Sequence, residues 1–187
     1  MTQRVHTPVG RLSYPHLDAP QTGFDGAKPK YSASLIFEKG TDISALKKLV
    51  EAAAEDKWHK KAKAMLDSGK LSNPIRDDWE DKAGYPEECT FLSAKSDRQP
   101  GMVLNVKGPD GRPKGVDPED IRDTFYPGAD VRFSVTPFAY DVNGNKGVSF
   151  ALNNIQKVSD NDRLDGRVSA EDDFEATEEE ELLDMRD

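Results

Sequence analysis

The sequence predicts a mainly β body with inserted helices, followed by a disordered acidic C-terminal tail. Short stretches that alternate apolar and polar residues are separated by loops rich in glycine and proline, and acidic residues crowd the C-terminus. The 187 residues suffice for one domain with appendages but not for two ordinary domains and a linker. We therefore expect one body over residues 1–167 and a tail over residues 168–187.

Five segments have the composition or alternation of β-strands. In the second, Tyr31, Ala33, Leu35 and Phe37 alternate with Lys30, Ser32, Ser34 and Ile36. The last two strands are joined by an NGNKG turn as a hairpin, and Phe37, Phe133, Phe138 and Phe150 are interpreted as core. In chain order the five segments are RVHTPVGRLSYPHL, KYSASLIF, GMVLNVKG, ADVRFSVTPFAYDV and VSFALNNIQKV.

Two helices are expected between these strands. Residues 42–68 carry an apolar stripe at helical spacing, and DPEDIRDTF forms a short helix with Pro118 at its first position. Five strands with a short helix between the third and fourth is the order of the OB fold, a five-stranded, partly open Greek-key barrel. The helix over 42–68 is then an insertion, and residues 73–99 form an excursion on the surface.

Charge divides the chain in two. Residues 171–187 hold ten of the 35 acids and one of the 26 bases, which leaves 25 acids and 25 bases in residues 1–170. A neutral body can carry a basic groove on one face, so the net charge of −9 does not exclude a nucleic-acid partner. A run of like charge with few apolar residues predicts disorder from about Val168, and Phe174, Leu182 and Leu183 within it predict docking onto a partner.

Other classes of function find little support. Cys89 is the single cysteine and the three histidines are scattered, so we expect neither a metal nor a cofactor. No run of about 18 apolar residues or signal-peptide pattern occurs, so we expect a soluble, cytoplasmic protein. The acids Asp77, Asp78, Glu80 and Asp81 leave a metal-dependent nuclease as a minor alternative, and a protein-interaction scaffold is the other.

Aromatic and cationic residues are interleaved along the body, as non-specific binding of single-stranded nucleic acid requires: bases stack on aromatic rings and phosphates contact lysine and arginine. For Trp79, Tyr85 and Tyr126, a base platform and a satellite core are equally favoured. The candidate DNA-binding residues are Lys28, Lys30, Tyr31, Arg76, Trp79, Tyr85, Phe91, Lys95, Arg98, Lys107, Tyr126 and Arg132.

Several stretches resemble a family of bacteriophage single-stranded DNA-binding proteins, similar in architecture to the T7-type proteins. They are KYSASLIF (30–37), PIRD (74–77), FLSAKS (91–96), PGMV (100–103), FYPG (125–128) and KGVSFALNNIQKV (146–158).

The resemblance implies an OB-type fold, sequence-independent binding of single strands and no enzymatic activity. It also implies an acidic tail that recruits a replication protein such as a polymerase, helicase or primase, and activity in the cytoplasm of an infected bacterial host; a homodimer is left open. It favours Arg76, Lys95 and Tyr126 for the DNA face, whereas Trp79 beside Asp78 departs from the expected pattern.

Overall fold

The computed structural model describes residues 4–23, 26–166 and 173–174. Strands dominate, as predicted, with a few helices inserted between them. The strands are β1 (Val5–His6), β2 (Gly10–Gln21), β3 (Lys30–Phe37), β4 (Ile75–Arg76), β5 (Thr90–Ser96), β6 (Gly101–Lys107), β7 (Pro113–Gly115), β8 (Asp130–Val142) and β9 (Asn145–Ser159). The α-helices are α1 (Ser44–Trp58), α2 (Ala62–Asp67) and α3 (Ile121–Thr124), with 3₁₀ turns at His59–Lys61, Trp79–Asp81 and Pro118–Asp120.

Within the described residues the strands form one sheet with the order β1-β8-β2-β3-β5-β9-β6-β7, and β4 pairs with β5. Because β8 also pairs with β9, the strands β2, β3, β5, β9 and β8 form a closed circuit. The pairings are antiparallel except between β5 and β9, which run parallel within the circuit, and between β6 and β9. The enclosed side of this circuit holds most of the core, including Leu35, Leu92, Phe133 and Phe150.

Period-two alternation predicted β3 correctly. Ala33, Leu35 and Phe37 are buried in the core, and the residues that alternate with them, Ser32, Ser34 and Ile36, lie on the outer face, where Ile36 is covered by a separate apolar cluster. The predicted hairpin is confirmed: Val142 pairs with Asn145, and Asn143 and Gly144 have the positive φ values, 51° and 84°, of a two-residue hairpin turn.

The predicted helical segment over residues 42–68 is present, as α1, a 3₁₀ turn and α2. Leu46, Val50 and Ala54 of α1 are buried against the core. This apolar stripe packs α1 against β8 and β9. None of the helices in the described residues is long and apolar enough to cross a membrane.

Two predictions about the sheet are wrong. The third strand of the circuit is β5, from the FLSAKS stretch assigned to a surface excursion, because it pairs with both β3 and β9. The GMVLNVKG stretch is β6, which pairs with β9 and β7 outside the circuit. Phe138 was expected in the core but is 42% exposed, because it alternates along β8 with the buried Val135 and Pro137 and so lies on the outer face of the strand.

Candidate nucleic-acid interface

The outer faces of β2, β3 and β5 form a shallow groove. Ser32 pairs with Lys95 and Ser34 with Ser93 across the two central strands, and the hydroxyl oxygens of Ser34 and Ser93 are 2.8 Å apart. Because serine side chains are short, they leave a depression of about 540 Å³, which we call the serine groove. It is lined by Tyr14, His16, Gln21, Ser32, Ala33, Ser34, Lys82, Ser93 and Lys95.

The charge of the serine groove suits a polyanion. Lys82 and Lys95 contribute cations and His16 an imidazole, whereas no acidic residue lines it. Lysine ammonium groups bind phosphates as point charges and release the counterions that surround them. The serine hydroxyls add neutral hydrogen-bonding groups along the floor.

Tyr14 stands at the edge of the serine groove in an unusual backbone conformation. Its φ of 44° falls where the register between β2 and β3 shifts, after Ser13 and before His16. Such an irregularity turns a side chain away from the alternating pattern of the strand, and a non-glycine residue at positive φ costs free energy that the surrounding structure must offset. Tyr14 is 54% exposed, so much of this residue is accessible to a ligand in the groove.

A small apolar cluster closes one end of the serine groove. Ile36 and Phe91 are cross-strand partners on the same outer face, and Cys89, Trp79 and Tyr85 pack over them. These covering residues belong to the stretch 73–99 that was predicted to be a surface excursion, but its apolar side chains fold back onto the sheet.

Tyr85 connects this cluster to Ser13 and Tyr14 on β2. Its hydroxyl donates to Ser13 Oγ at 2.9 Å, and its ring meets Phe91 edge-on with centroids 5.1 Å apart. Burial raises the pKa of the Tyr85 phenol, which keeps the hydroxyl protonated as a donor. The Tyr14 and Tyr85 ring centroids are 6.5 Å apart, which places two aromatic rings side by side at the edge of the groove.

Two predicted base platforms are corrected by their burial. Phe91 is 2% exposed beneath Tyr85, so no face of its ring is open to a base. Tyr126 is 8% exposed, and the Lys157 ammonium and the Arg163 guanidinium each lie 5.0 Å from its ring centroid. Trp79 and Tyr85 are half-buried and pack on the apolar cluster, which supports a satellite core for both.

Tyr126 has a structural role instead. Its hydroxyl lies 2.9 Å from Asp160 Oδ1 and accepts a hydrogen bond from the Asn161 backbone N–H at 3.0 Å. These contacts, with the two cations over the ring, hold residues 160–163 against the body. Burial is the main reason that the pKa of the Tyr126 phenol is raised.

The predicted cations are distributed over the whole molecule. Lys95 lies in the serine groove, and Lys30 and Tyr31 precede Ser32 on β3. The ammonium groups of Lys28 and Lys30 each lie 3.7 Å from a carboxylate oxygen of Asp97. Arg98 is exposed in the turn between β5 and β6.

The remaining predicted cations lie outside the serine groove. Arg76 holds Asp78 through two hydrogen bonds and lies 5.4 Å from the Phe91 ring centroid. Lys107 is exposed on β6, outside the circuit. Arg132 is exposed on β8, where its Nε donates to Gln156 Oε1 at 2.6 Å.

A second exposed aromatic surface lies on the β8–β9 hairpin. Phe138 and Tyr140 have ring centroids 6.4 Å apart, and Val142, two residues further along, is 59% exposed. Asp141 lies within this stretch and pairs with Lys146 on β9. Phe138, Tyr140 and Val142 alternate with Asp141 along β8, so the three share one face of the hairpin and offer apolar contact there.

The acids considered for a metal-dependent nuclease, Asp77, Asp78, Glu80 and Asp81, do not converge on one point as metal ligands would. Asp78 is engaged by Arg76, which holds the pKa of its carboxyl below the usual value. Among the described residues, the acids whose ligand atoms converge within 4.8 Å are Asp117, Glu119 and Asp120, all exposed.

Comparison with known proteins assigns the family. A family model described as Enterobacter phage Enc34, ssDNA-binding protein matches residues 3–183, nearly the whole chain. The chain belongs to this family. The resemblance to phage single-stranded DNA-binding proteins that the sequence suggested is thereby confirmed. No curated protein sequence matches the chain.

Solved structures of phage proteins are similar to this fold. The single-stranded DNA-binding protein from bacteriophage Enc34 in complex with ssDNA is 26% identical, with a TM-score of 0.67 over 86% of this chain and 88% of that one. Gp2.5, a single-stranded DNA-binding protein encoded by bacteriophage T7, is 14% identical, with a TM-score of 0.58 over 94% of this chain and 98% of that one. The second similarity is one of fold alone.

Sequence reasoning missed most of the serine groove. It found Lys95 but not Tyr14, His16 or Lys82. The alternation of serine with core residues in KYSASLIF was a usable signal, because it places two short polar side chains on one strand face. The predicted tail residue Phe174 is 75% exposed, and Leu182 and Leu183 lie outside the described residues, as does the boundary at 167 and 168.

Proposed function

We propose that this protein binds single-stranded DNA without sequence preference, with the serine groove as its binding surface. The observation that carries the proposal is the composition of that groove: cations, short hydroxyl side chains, an exposed tyrosine at the edge and no acid. Membership of a phage single-stranded DNA-binding family supports it. The protein then protects single strands during phage replication or recombination in the cytoplasm of the bacterial host and catalyses no reaction.

The strand order supports an OB-type barrel. The five strands of the circuit, numbered along the chain, are paired first to second, second to third, third to fifth, fifth to fourth and fourth to first. We infer that β2, β3, β5, β8 and β9 are the strands of an OB fold, with α1 and α2 inserted between the second and third. OB folds bind oligonucleotides on the face of their second and third strands, which here are β3 and β5.

In the proposed mechanism, phosphates contact Lys82 and Lys95 and a base stacks on Tyr14. A ring surface accepts any base, and a phosphate is the same at every nucleotide, so this arrangement has no sequence preference. The short side chains of Ser32, Ser34 and Ser93 let the DNA strand lie close to β3 and β5.

Fluorescence-anisotropy titration tests the proposal. A labelled oligo-dT strand and the matching duplex are titrated over a range of salt concentrations. We expect strong, salt-sensitive binding to the single strand and much weaker binding to the duplex; equal affinity for both, or none for either, contradicts the proposal.

Replacing both Lys82 and Lys95 by alanine should flatten the salt dependence. The slope of log affinity against log salt should fall in magnitude by about 1.4, since each phosphate contact on a single strand contributes about 0.7. The matched control replaces the exposed helix lysines Lys48 and Lys63, which removes the same charge away from the groove. An equal change in the control would show a general charge effect rather than contacts in the groove.

We further propose that the acidic tail competes with DNA for the serine groove and, once displaced, recruits a replication protein such as a polymerase, helicase or primase. Ten acids in residues 171–187 complement the cations of the groove. Truncation after Gly166 should therefore strengthen binding to oligo-dT, most at low salt where charge competition is least screened. Unchanged affinity at low salt would contradict the competition.

A second candidate is a protein-binding module, favoured by the exposed Phe138, Tyr140 and Val142 on the hairpin. The two functions differ in their effect on tryptophan fluorescence. Trp79 packs at the end of the serine groove, so DNA binding there should quench its emission, whereas a module that binds only protein should show no change with DNA.

A further inference from the structure

A second concavity lies away from the serine groove. It is formed on the outer faces of β8 and β9, between β1 on one side and β6 and β7 on the other, and encloses about 230 Å³. Its lining includes Arg4, His6 and Arg132, contains no acidic residue and shares no residue with the serine groove. We call it the arginine pocket.

Strand register brings the polar groups of the arginine pocket together. Ser134 on β8 pairs with His6 on one side and Asn154 on the other. In the adjacent row, Arg132 pairs with Gln156 and donates from Nε to its side-chain oxygen. A guanidinium has five N–H donors in a fixed plane and this contact uses one, so Arg132 is oriented but still has donors for an anion.

The Ser134 hydroxyl indicates that the arginine pocket is built for a ligand. Ser134 is 7% exposed and lines the pocket. Among the described residues its Oγ is the buried side-chain polar atom without a hydrogen-bond partner. A buried hydroxyl that lacks a partner is costly and rare in folded proteins, and a bound acceptor would remove that cost.

We propose that the arginine pocket binds a phosphodiester group of the same single strand, beyond the part held in the serine groove. Arginine matches phosphate with paired N–H donors, the serine hydroxyl can donate a further bond, and Val103 and Pro113 offer an apolar wall to a deoxyribose. The inference rests on the proposed function, because it extends the path of the same strand.

The chain connects the two surfaces. β1 borders the arginine pocket and β2 contributes Tyr14 and His16 to the serine groove, and residues 7–9 alone separate these strands. Both β1 and β2 pair with β8. A DNA strand that leaves the serine groove over β2 therefore reaches the arginine pocket by continuing around the barrel.

The length of the oligonucleotide distinguishes the serine groove from the arginine pocket experimentally. Oligo-dT of about 6 nucleotides should occupy the serine groove alone, given site sizes of about 4–16 nucleotides per OB fold. Oligo-dT of about 20 nucleotides should reach both the serine groove and the arginine pocket. Binding of each is measured across salt concentrations for the full-length chain, for a variant with Arg4→Ala and Arg132→Ala, and for the Lys48→Ala and Lys63→Ala control.

We expect the arginine variant to bind the short strand as the wild type does. Its salt slope for the long strand should fall in magnitude by about 1.4, from two lost phosphate contacts at about 0.7 each. Ser134→Ala should weaken long-strand binding by about fivefold, the value of one neutral hydrogen bond, without lowering the melting temperature. A merely structural Ser134 would leave long-strand affinity unchanged, so this variant keeps the proposal testable even if the arginine variant folds poorly.

Each other outcome overturns the proposal. Equal loss for both strand lengths would make the arginine pocket part of the primary site, and no loss for either would remove DNA as its ligand. An effect that vanishes when the chain is truncated after Gly166 would assign the pocket to the acidic tail, and saturation by thymidine monophosphate alone at micromolar concentration would assign it to a free nucleotide. Failure of the wild type to bind either strand would instead reject the proposed function.

Discussion

Replacing Phe91 by alanine should lower the free energy of unfolding by about 3–5 kcal/mol, the usual cost of removing a buried aromatic side chain. Phe91 is 2% exposed, pairs with Ile36 across the sheet and packs against the edge of the Tyr85 ring. The loss comes from both the lost burial and the cavity left between the sheet and the segment over it. Chemical denaturation, with the transition followed by circular dichroism, measures it.

Phe91→Leu is the matched control, because it keeps most of the apolar volume but has no ring for a base. It should cost less than about 1.5 kcal/mol of stability and bind oligo-dT as tightly as the wild type. A large loss of DNA affinity in a stably folded Phe91→Leu protein would restore Phe91 as a base platform.

Replacing Tyr14 by alanine should weaken binding of single-stranded DNA by about 5- to 150-fold, which corresponds to about 1–3 kcal/mol for one stacked base. The ring is 54% exposed at the edge of the serine groove and adjoins Tyr85. Since alanine at the same positive φ is also unfavourable, the substitution changes the ring without relieving the backbone. Anisotropy titration with oligo-dT at fixed salt measures the change.

Two controls accompany Tyr14→Ala. Tyr14→Phe keeps the ring and should retain nearly all the affinity, and Phe138→Ala removes an exposed ring from the hairpin and should leave affinity unchanged. If Phe138→Ala weakens binding and Tyr14→Ala does not, the hairpin surface and not the serine groove holds the bases.

Local patterns predicted the elements better than their partners. Alternation in KYSASLIF identified both the strand and its buried residues, because one face of β3 is in the core. The same kind of pattern could not distinguish β5 from β6, because both are short and polar on one side. Their places in the sheet are set by pairing with β3 and β9, far away in sequence.

The candidate site was predicted in part for the same reason. Phe91 and Tyr126 have the residue type of a base platform, but residues 77–89 and 160–163 fold over them. Tyr14 carries no signal of exposure, since its orientation comes from an irregular register against β3. The serines of the groove carry no residue-type signal for DNA binding, because they contribute by being small and leaving room for a DNA strand.

The most direct test of the serine groove as the DNA surface is photo-crosslinking. An oligonucleotide of about six nucleotides, within the range that one OB fold covers, carries 5-iododeoxyuridine and is irradiated with the full-length protein, and the adducts are located by mass spectrometry. We expect adducts at Tyr14, the exposed ring that lines the serine groove. Adducts confined to Phe138 and Tyr140, with none at Tyr14, would contradict the serine groove as the DNA surface.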